Sequence, residues 1–257
     1  MPYLSLDASR LYYETHGSGR PVVLLHGVGG NHASWFHQIE AWSARFQLIV
    51  FDARGFGNST DVEGHGRSAF TGDLVRLLDH LGIARAALVA QSMGGGTAVD
   101  FTCRFPERVE ALVLADTLVW LDAPPDMSAA FAAVQARTED LSQLERVLGA
   151  TFRAERPAAS ELYLQIASFN HYVFRTLTGV QTRYRPQQLA QAAVPTLFVV
   201  GEEDVLFPPE LVAQAAAGVR GARIERLPRA GHSAYFESPQ RFNDAVGAWL
   251  DARALPR

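Results

Sequence analysis

The 257-residue chain contains no lysine; its 23 basic side chains are all arginine. That absence removes the amine needed for Schiff-base chemistry and the lysine of a P-loop. A single cysteine, Cys103, leaves no intrachain disulfide and no cysteine-built zinc site, so no metal is expected. No apolar run approaches the roughly 18 residues of a membrane span. The opening stretch MPYLSLDASRLYYETHGSG alternates and carries charge where a secretion signal would be apolar. Positive charge is not in excess either. With 27 acidic residues against 23 basic, the formal net charge is −4, which offers no field for nucleic acid or anionic lipid. These absences predict a soluble, cytoplasmic protein without nucleic-acid or membrane partners, and they leave monomer and homodimer open.

What the chain does have is rhythm. Short apolar runs at Pro21–Gly27, Phe46–Asp52, Arg85–Gln91, Val109–Asp116, Val194–Gly201 and Ala222–Pro228 read as strands. Most are apolar throughout, as expected of parallel strands covered on both faces. Amphipathic stretches lie between and after them. Arg67–Leu81 gathers Leu74, Leu77, Leu78 and Leu81 on one face before a Gly82 stop, and Gln240–Leu250 does the same with Phe242, Val246, Trp249 and Leu250. YLSL and LYYETHG near the start read as an antiparallel hairpin. The alternation predicts an α/β fold with a doubly wound sheet. Between about Leu118 and Pro186 the strand rhythm stops. The segment DAPPDMSAAFAAVQARTEDLSQLERVLGATF is Ala-rich and helical after its prolines, and ASELYLQIASFNHYVF reads as a further helix. We therefore expect a core of residues 1–118 and 187–257, with a helical cap, 119–186, inserted after the sixth strand.

The stretch LVAQSMGGGTAV, Leu88–Val99, places a serine where a strand hands over to a helix. Ala90-Gln91-Ser92-Met93-Gly94 fits the nucleophile elbow G-x-S-x-G with alanine at the first glycine. The strained turn tolerates only small neighbours two residues either side, and it lifts the hydroxyl toward free helix N-terminal amides. A serine needs a base, and the base needs an orienting acid. GEEDVLFPP puts Asp204 just past a strand, and RAGHSAYFESP puts His232 before the final helix, in the order Ser…Asp…His. Asp116, at the end of an earlier core strand, is a rival for the acid, whereas Glu202 and Glu203 read as solvated neighbours. The other histidines, at 16, 32, 37, 65, 80 and 171, lack a comparable setting, and His26 reads as a shaper of its loop. In LLHGVGGN, the amide of Val28 is expected to pair with that of Met93 as an oxyanion hole. FDARGFGNS matches D-x-R-G-x-G-x-S, whose Asp52 and Arg54 are expected to tie a loop. HGVGGN is not the dinucleotide fingerprint G-x-G-x-x-G.

Carrying these motifs from Leu11 to Leu250, the chain resembles an α/β-hydrolase of the compact, cap-bearing esterase and lactonase type. The resemblance implies a mostly parallel eight-stranded sheet. It further implies a serine hydrolase that cleaves a carboxylic ester or lactone through an acyl-enzyme, with water as acyl acceptor and no cofactor. Ser92, Asp204 and His232 would be the catalytic residues. Gly27, Gln91, Trp120, Phe131, Phe169, His171 and Leu206 are expected at the substrate, with Asn170 a further residue to weigh, and the aromatic, weakly charged cap suits a small apolar or aryl molecule. Three alternatives stay open. C–C hydrolases of meta-cleavage products commonly carry Asn before the serine and Trp after the histidine, where this chain has Gln91 and Ser233. The triple glycine is also similar to cofactor-free perhydrolases. A non-enzymatic receptor on the same fold could keep an idle triad.

Overall fold

The computed structural model describes residues 2–253. Eight strands form one sheet: β1 (Tyr3–Leu6), β2 (Ser9–His16), β3 (Arg20–Leu25), β4 (Phe46–Phe51), β5 (Ala86–Gln91), β6 (Val109–Ala115), β7 (Thr196–Gly201) and β8 (Arg223–Leu227). Their order is β1-β2-β4-β3-β5-β6-β7-β8. The first two are antiparallel, forming the hairpin and joining the sheet at β4; every other pairing is parallel.

Strand periodicity divides the core. Val23, Leu25, Leu88, Ala90, Leu112, Leu114, Phe198 and Val200 face one apolar cluster. Val22, Leu24, Ala87, Val89, Ala111, Val113, Leu197 and Val199 face the other. Alternate residues of a pleated strand point to opposite faces, so a run apolar throughout demands helices on both sides. The surrounding helices supply them. On the second face lie α1 (Phe36–Trp42), through Trp42, and the C-terminal helix, through Phe242, Val246 and Leu250. The first face receives α2 (Phe70–His80), through Leu74, Leu77 and Leu78, and α3 (Met93–Arg104), through Ala98, Val99 and Phe101. The edge strand β8 differs from its neighbours. Its sequence RIERL leaves all but Leu227 exposed, and charge on an edge discourages pairing with another chain.

Between β6 and β7 the chain leaves the sheet. It forms α4 (Pro125–Thr138), α5 (Gln143–Val147), α6 (Ala150–Glu155) and α7 (Pro157–Ala167), and then an irregular stretch to Tyr184. A parallel bridge between Leu121 and Tyr184 closes the neck of this insertion. Ser142 begins α5 with a capping box to Glu145, and prolines at the first turns of α4 and α7 fit positions whose amides have no helical partner. The helix expected to run on to Phe174 stops at Ala167. Its physical reason is that the amides of His171 and Tyr172 both donate to Gly55 O, in the loop after β4, at 3.0 Å. The chain then returns through α8 (Pro186–Gln191) to β7, α9 (Pro209–Ala217) and β8, and finishes with α10 (Ala234–Glu237) and α11 (Pro239–Asp251). Among the described residues no helix is long and apolar enough to cross a membrane.

Candidate active site

The site assembles where the parallel strands end. Ser92 lies between β5 and α3 with φ 47° and ψ −115°, a conformation non-glycine residues rarely adopt. The surroundings hold it there. Ser92 donates its amide to Ala115 O at 3.0 Å, and its carbonyl accepts from the Gly95 amide at 2.9 Å and the Thr117 hydroxyl at 2.6 Å. A Cβ on Gly94 would overlap the carbonyl group of Leu25 in β3, and one on Gly95 would overlap the Thr117 side chain. The elbow's glycines are therefore demanded by the packing of α3 against the sheet. Turned this way, Ser92 is half-buried at the C-terminal ends of the parallel strands.

His232 Nε2 lies 2.9 Å from Ser92 Oγ, and His232 Nδ1 lies 3.0 Å from Asp204 Oδ2. The second oxygen of Asp204, Oδ1, accepts the amides of Leu206 and Phe207 at 2.8 and 3.0 Å. Those two bonds fix the carboxylate's plane. With the carboxylate on Nδ1, the proton sits on Nδ1 and Nε2 is free to accept from serine. Burial alone would lower the His232 pKa, but the charge and hydrogen bond of Asp204, helped by Asp116 and Glu237, carry it above the ordinary imidazole value.

Asp116, the rival acid, is spent on the backbone. Its two oxygens accept from the amide of Gly201 at 2.8 Å and of Ala234 at 3.1 Å, tying β7 to the histidine loop. Complete burial, with repulsion from Asp204 second, raises its pKa well above the usual carboxylate range. The loop is also held by Glu237, whose Oε2 accepts from Gly231 at 2.9 Å and whose Oε1 accepts from Ser233 at 3.0 Å, one on each side of His232. Glu237 Oε2 also takes the amide of Gly149, at the start of α6, at 2.7 Å. Gln91 completes the brace by donating Nε2 to His232 O at 2.7 Å.

The loop after β3 and the start of α3 each supply a free donor. The Val28 amide donates to no group among the described residues, and the Met93 amide is the first of α3, without a helical partner. The orientation of Val28 is set by the peptide before it. Gly27 O accepts from the Gly30 amide at 3.1 Å and from His26 Nδ1 at 2.7 Å, and the other His26 nitrogen, Nε2, accepts the Ala53 amide at 3.0 Å. Burial keeps His26 neutral by lowering its pKa. Because the peptide is trans, a carbonyl held on one side turns the Val28 N–H to the other. The side chains of Val28 and Met93 pack together with Phe56 and Phe70.

The loop after β4 is internally tied. Asp52 accepts from the amides of His32 at 2.6 Å and Asn58 at 2.8 Å, and Arg54 grips the buried Asp73 through Nε and Nη2 at 2.7 and 3.0 Å. Neither side chain bonds to Ser92, His232 or Asp204.

Residues expected at the substrate are scattered. Gly27 is pressed against the side chains of Gln91 and Ser92, and a Cβ there would lie 2.8 Å from Ser92 Cβ. Phe131 stacks edge-on against Phe207, whose ring lies 5.5 Å from that of His232, and Leu206 is half-buried in the Asp204 turn. The other four have different surroundings. Gln91 is committed to the histidine loop. Trp120 is wholly buried against Phe198. Phe169 is 71% exposed, because the chain has left the helix there, and the His171 side chain is exposed while its amide is bound to Gly55. Glu203 also departs from expectation, since Oε2 accepts the Thr151 amide at 2.8 Å and the side chain anchors α6. Sequence reasoning missed Glu237 and Tyr163, which accepts a hydrogen bond from Ser233 Oγ at 2.9 Å. The sole sequence signal for either was an acidic or phenolic group inside a largely apolar run.

A family model of the α/β hydrolase fold matches residues 20–239. The chain belongs to that family, and it is similar to esterase and lactonase members. It is 28% identical to a thermophilic esterase from Thermogutta terrifontis, with a TM-score of 0.82 over 96% of this chain and 95% of the other. The enol-lactonase from Burkholderia xenovorans is 25% identical, with a TM-score of 0.76 over 97% of this chain and 100% of the other. A 2-hydroxy-6-oxononadienedioate/2-hydroxy-6-oxononatrienedioate hydrolase of Burkholderia vietnamiensis is 30% identical over 94% of this chain and 91% of its own.

Proposed function

We propose that this chain is a serine hydrolase of ester-like bonds, acting on a carboxylic ester or lactone of a small, largely apolar or aryl molecule. The observation that carries the reading is the unbroken line from Ser92 Oγ through His232 to Asp204, with bonds of 2.9 and 3.0 Å. Ser92 Oγ attacks the carbonyl carbon as His232 Nε2 takes its proton. The carbonyl π pair moves onto oxygen, where the amides of Val28 and Met93 receive the charge. Asp204 holds the imidazolium that results. Collapse expels the alcohol, which takes the proton from Nε2 and leaves an acyl-Ser92. Water then gives a proton to His232 and adds to the acyl carbon, and breakdown of the second tetrahedral species returns that proton to Ser92 and frees the acid. The chemistry calls for no metal or cofactor.

The insertion at 119–186 acts in this reading as a cap over the core of 1–118 and 187–257. Its contacts with the histidine and aspartate loops, through Glu237 and Glu203, support that role. The test is Ser92→Ala, which should lower kcat on an activated aryl ester by several orders of magnitude and leave the far-ultraviolet circular dichroism unchanged. Retention of most activity would sink the assignment. The relative from Burkholderia vietnamiensis favours a second reading, a C–C hydrolase. The Ser233 hydroxyl, where those enzymes commonly carry Trp, is bonded to Tyr163 and counts against it. Bleaching of a coloured dienol substrate, faster than ester cleavage, would reverse the order. A receptor would bind an ester and stall after one turnover, and a perhydrolase would be revealed by peroxide competing with water for the acyl group.

A further inference from the structure

We infer that Asn170, in the cap, is a positioning residue that sets the geometry of the oxyanion-binding loop; this rests on the hydrolase reading above. Asn170 follows α7 and reaches down between two core loops. Its Nδ2 donates to Val28 O at 3.3 Å and to Gly30 O at 3.1 Å. Its Oδ1 accepts from the Gly57 amide at 3.0 Å and from Asn31 Nδ2 at 3.2 Å. An asparagine amide has two donor hydrogens and two acceptor lone pairs, and all four are used. The orientation is fixed by the partners: rotating the amide by 180° would aim its NH₂ at the Gly57 N–H and its oxygen at two carbonyls.

The consequence falls on Val28. The peptide preceding it is held by His26 and Gly30 through Gly27 O. The peptide following it is held by Asn170 through Val28 O. With both flanking planes fixed, the φ and ψ of Val28 are fixed, and with them the aim of the free amide that the hydrolase reading assigns to the oxyanion. The rest of the segment leans the same way. Ile166 O accepts from Asn31 Nδ2 at 2.9 Å, and Tyr163 Oη lies 2.9 Å from where a Cβ on Gly29 would stand, so this stretch of the cap sits directly on the loop backbone. The oxyanion donor is thus aligned by the cap as well as by the core. A cap lifted from the core would release it.

The discriminating variant is Asn170→Asp, nearly isosteric. It keeps acceptors for Gly57 and Asn31 but replaces the two donors with an oxygen that repels Val28 O and Gly30 O. On a p-nitrophenyl ester, kcat should fall roughly ten- to hundredfold, less than the loss of a whole oxyanion donor, with KM changed less than about threefold. The inhibition constant of an aryl trifluoromethyl ketone, whose hemiketal oxyanion needs the same amides, should rise by the factor that kcat falls. Asn170→Ala should behave alike. Backbone hydrogen exchange at Gly30 should quicken in both variants, a readout independent of turnover. An unchanged kcat with raised KM would make Asn170 a substrate contact or a packing residue and overturn the proposal. So would an unchanged ketone inhibition constant, or unchanged exchange. A wild type that neither turns over nor binds the ketone, with exchange at Gly30 still quickened in the variants, would sink the hydrolase reading and leave the loop-positioning role standing.

Discussion

Replacing Glu237 with alanine strips the amides of Gly149, Gly231 and Ser233 of their common acceptor. Each buried donor left without a partner costs about 1–2 kcal/mol, so the three together cost about 3–6 kcal/mol. That is a large share of the roughly 5–15 kcal/mol that holds a typical domain folded. The carboxylate itself opposes this. Burial pushes the Glu237 pKa up to about 7, against the pull of its three amide donors. A folded-state pKa above the unfolded value means that folding takes up a proton in between. Stability from this group is therefore full below the ordinary glutamate range and is lost as pH rises through 7. Holding the group fully charged in the fold therefore costs about 3 kcal/mol. Removing Glu237 removes that penalty too. Urea unfolding followed by tryptophan fluorescence should show Glu237→Ala costing about 3–6 kcal/mol at pH 5 but only about 0–3 kcal/mol at pH 8.5. A loss below about 1 kcal/mol at pH 5, or a greater loss at pH 8.5, would refute the reasoning.

Other perturbations probe the triad, the elbow and the loop after β4. Because Asp204 holds the His232 pKa above the ordinary imidazole value, the acid limb of the kcat/KM profile should have its midpoint above 6.5, activity being lost as pH falls and His232 protonates. Asp204→Asn should lower kcat sharply and move the midpoint of the residual activity downward; a midpoint at or above the wild-type value would contradict the assignment of the acid. Gly94→Ala should displace α3 from β3, since its Cβ meets the Leu25 carbonyl, and should cut activity and thermal stability together; a fully active, equally stable variant would show that the elbow relaxes cheaply. Arg54→Met leaves Asp73 buried without its bidentate partner, and chemical denaturation should register a loss of about 3–5 kcal/mol.

The core of this fold was legible because two strong periodicities coincide with it. The apolar runs around Val22–Leu25, Leu88–Ala90 and Leu112–Leu114 can be satisfied only by a sheet covered on both faces. The order Ser92, Asp204, His232 could be read because each follows a strand, and strand ends of a parallel sheet share one edge. The sequence favoured Asp204 over Asp116, but the part each plays is visible only in space. Both follow core strands, and only the hydrogen bonds show one on the imidazole and the other on the Gly201 and Ala234 amides. The insertion was least legible. Helical propensity runs past Ala167, but tertiary bonds to Gly55 end the helix there, and no local pattern encodes a partner more than a hundred residues distant. For the same reason Phe169 and His171, attractive by residue type, lie at the surface, while Asn170 between them bridges the core loops.

The central claim is that Ser92 is an activated nucleophile, and intact mass after incubation with a fluorophosphonate tests it most directly. The wild type should take a single covalent adduct, and Ser92→Ala none, at matched fold and concentration. An unmodified wild type, or an adduct that persists on Ser92→Ala, would contradict it.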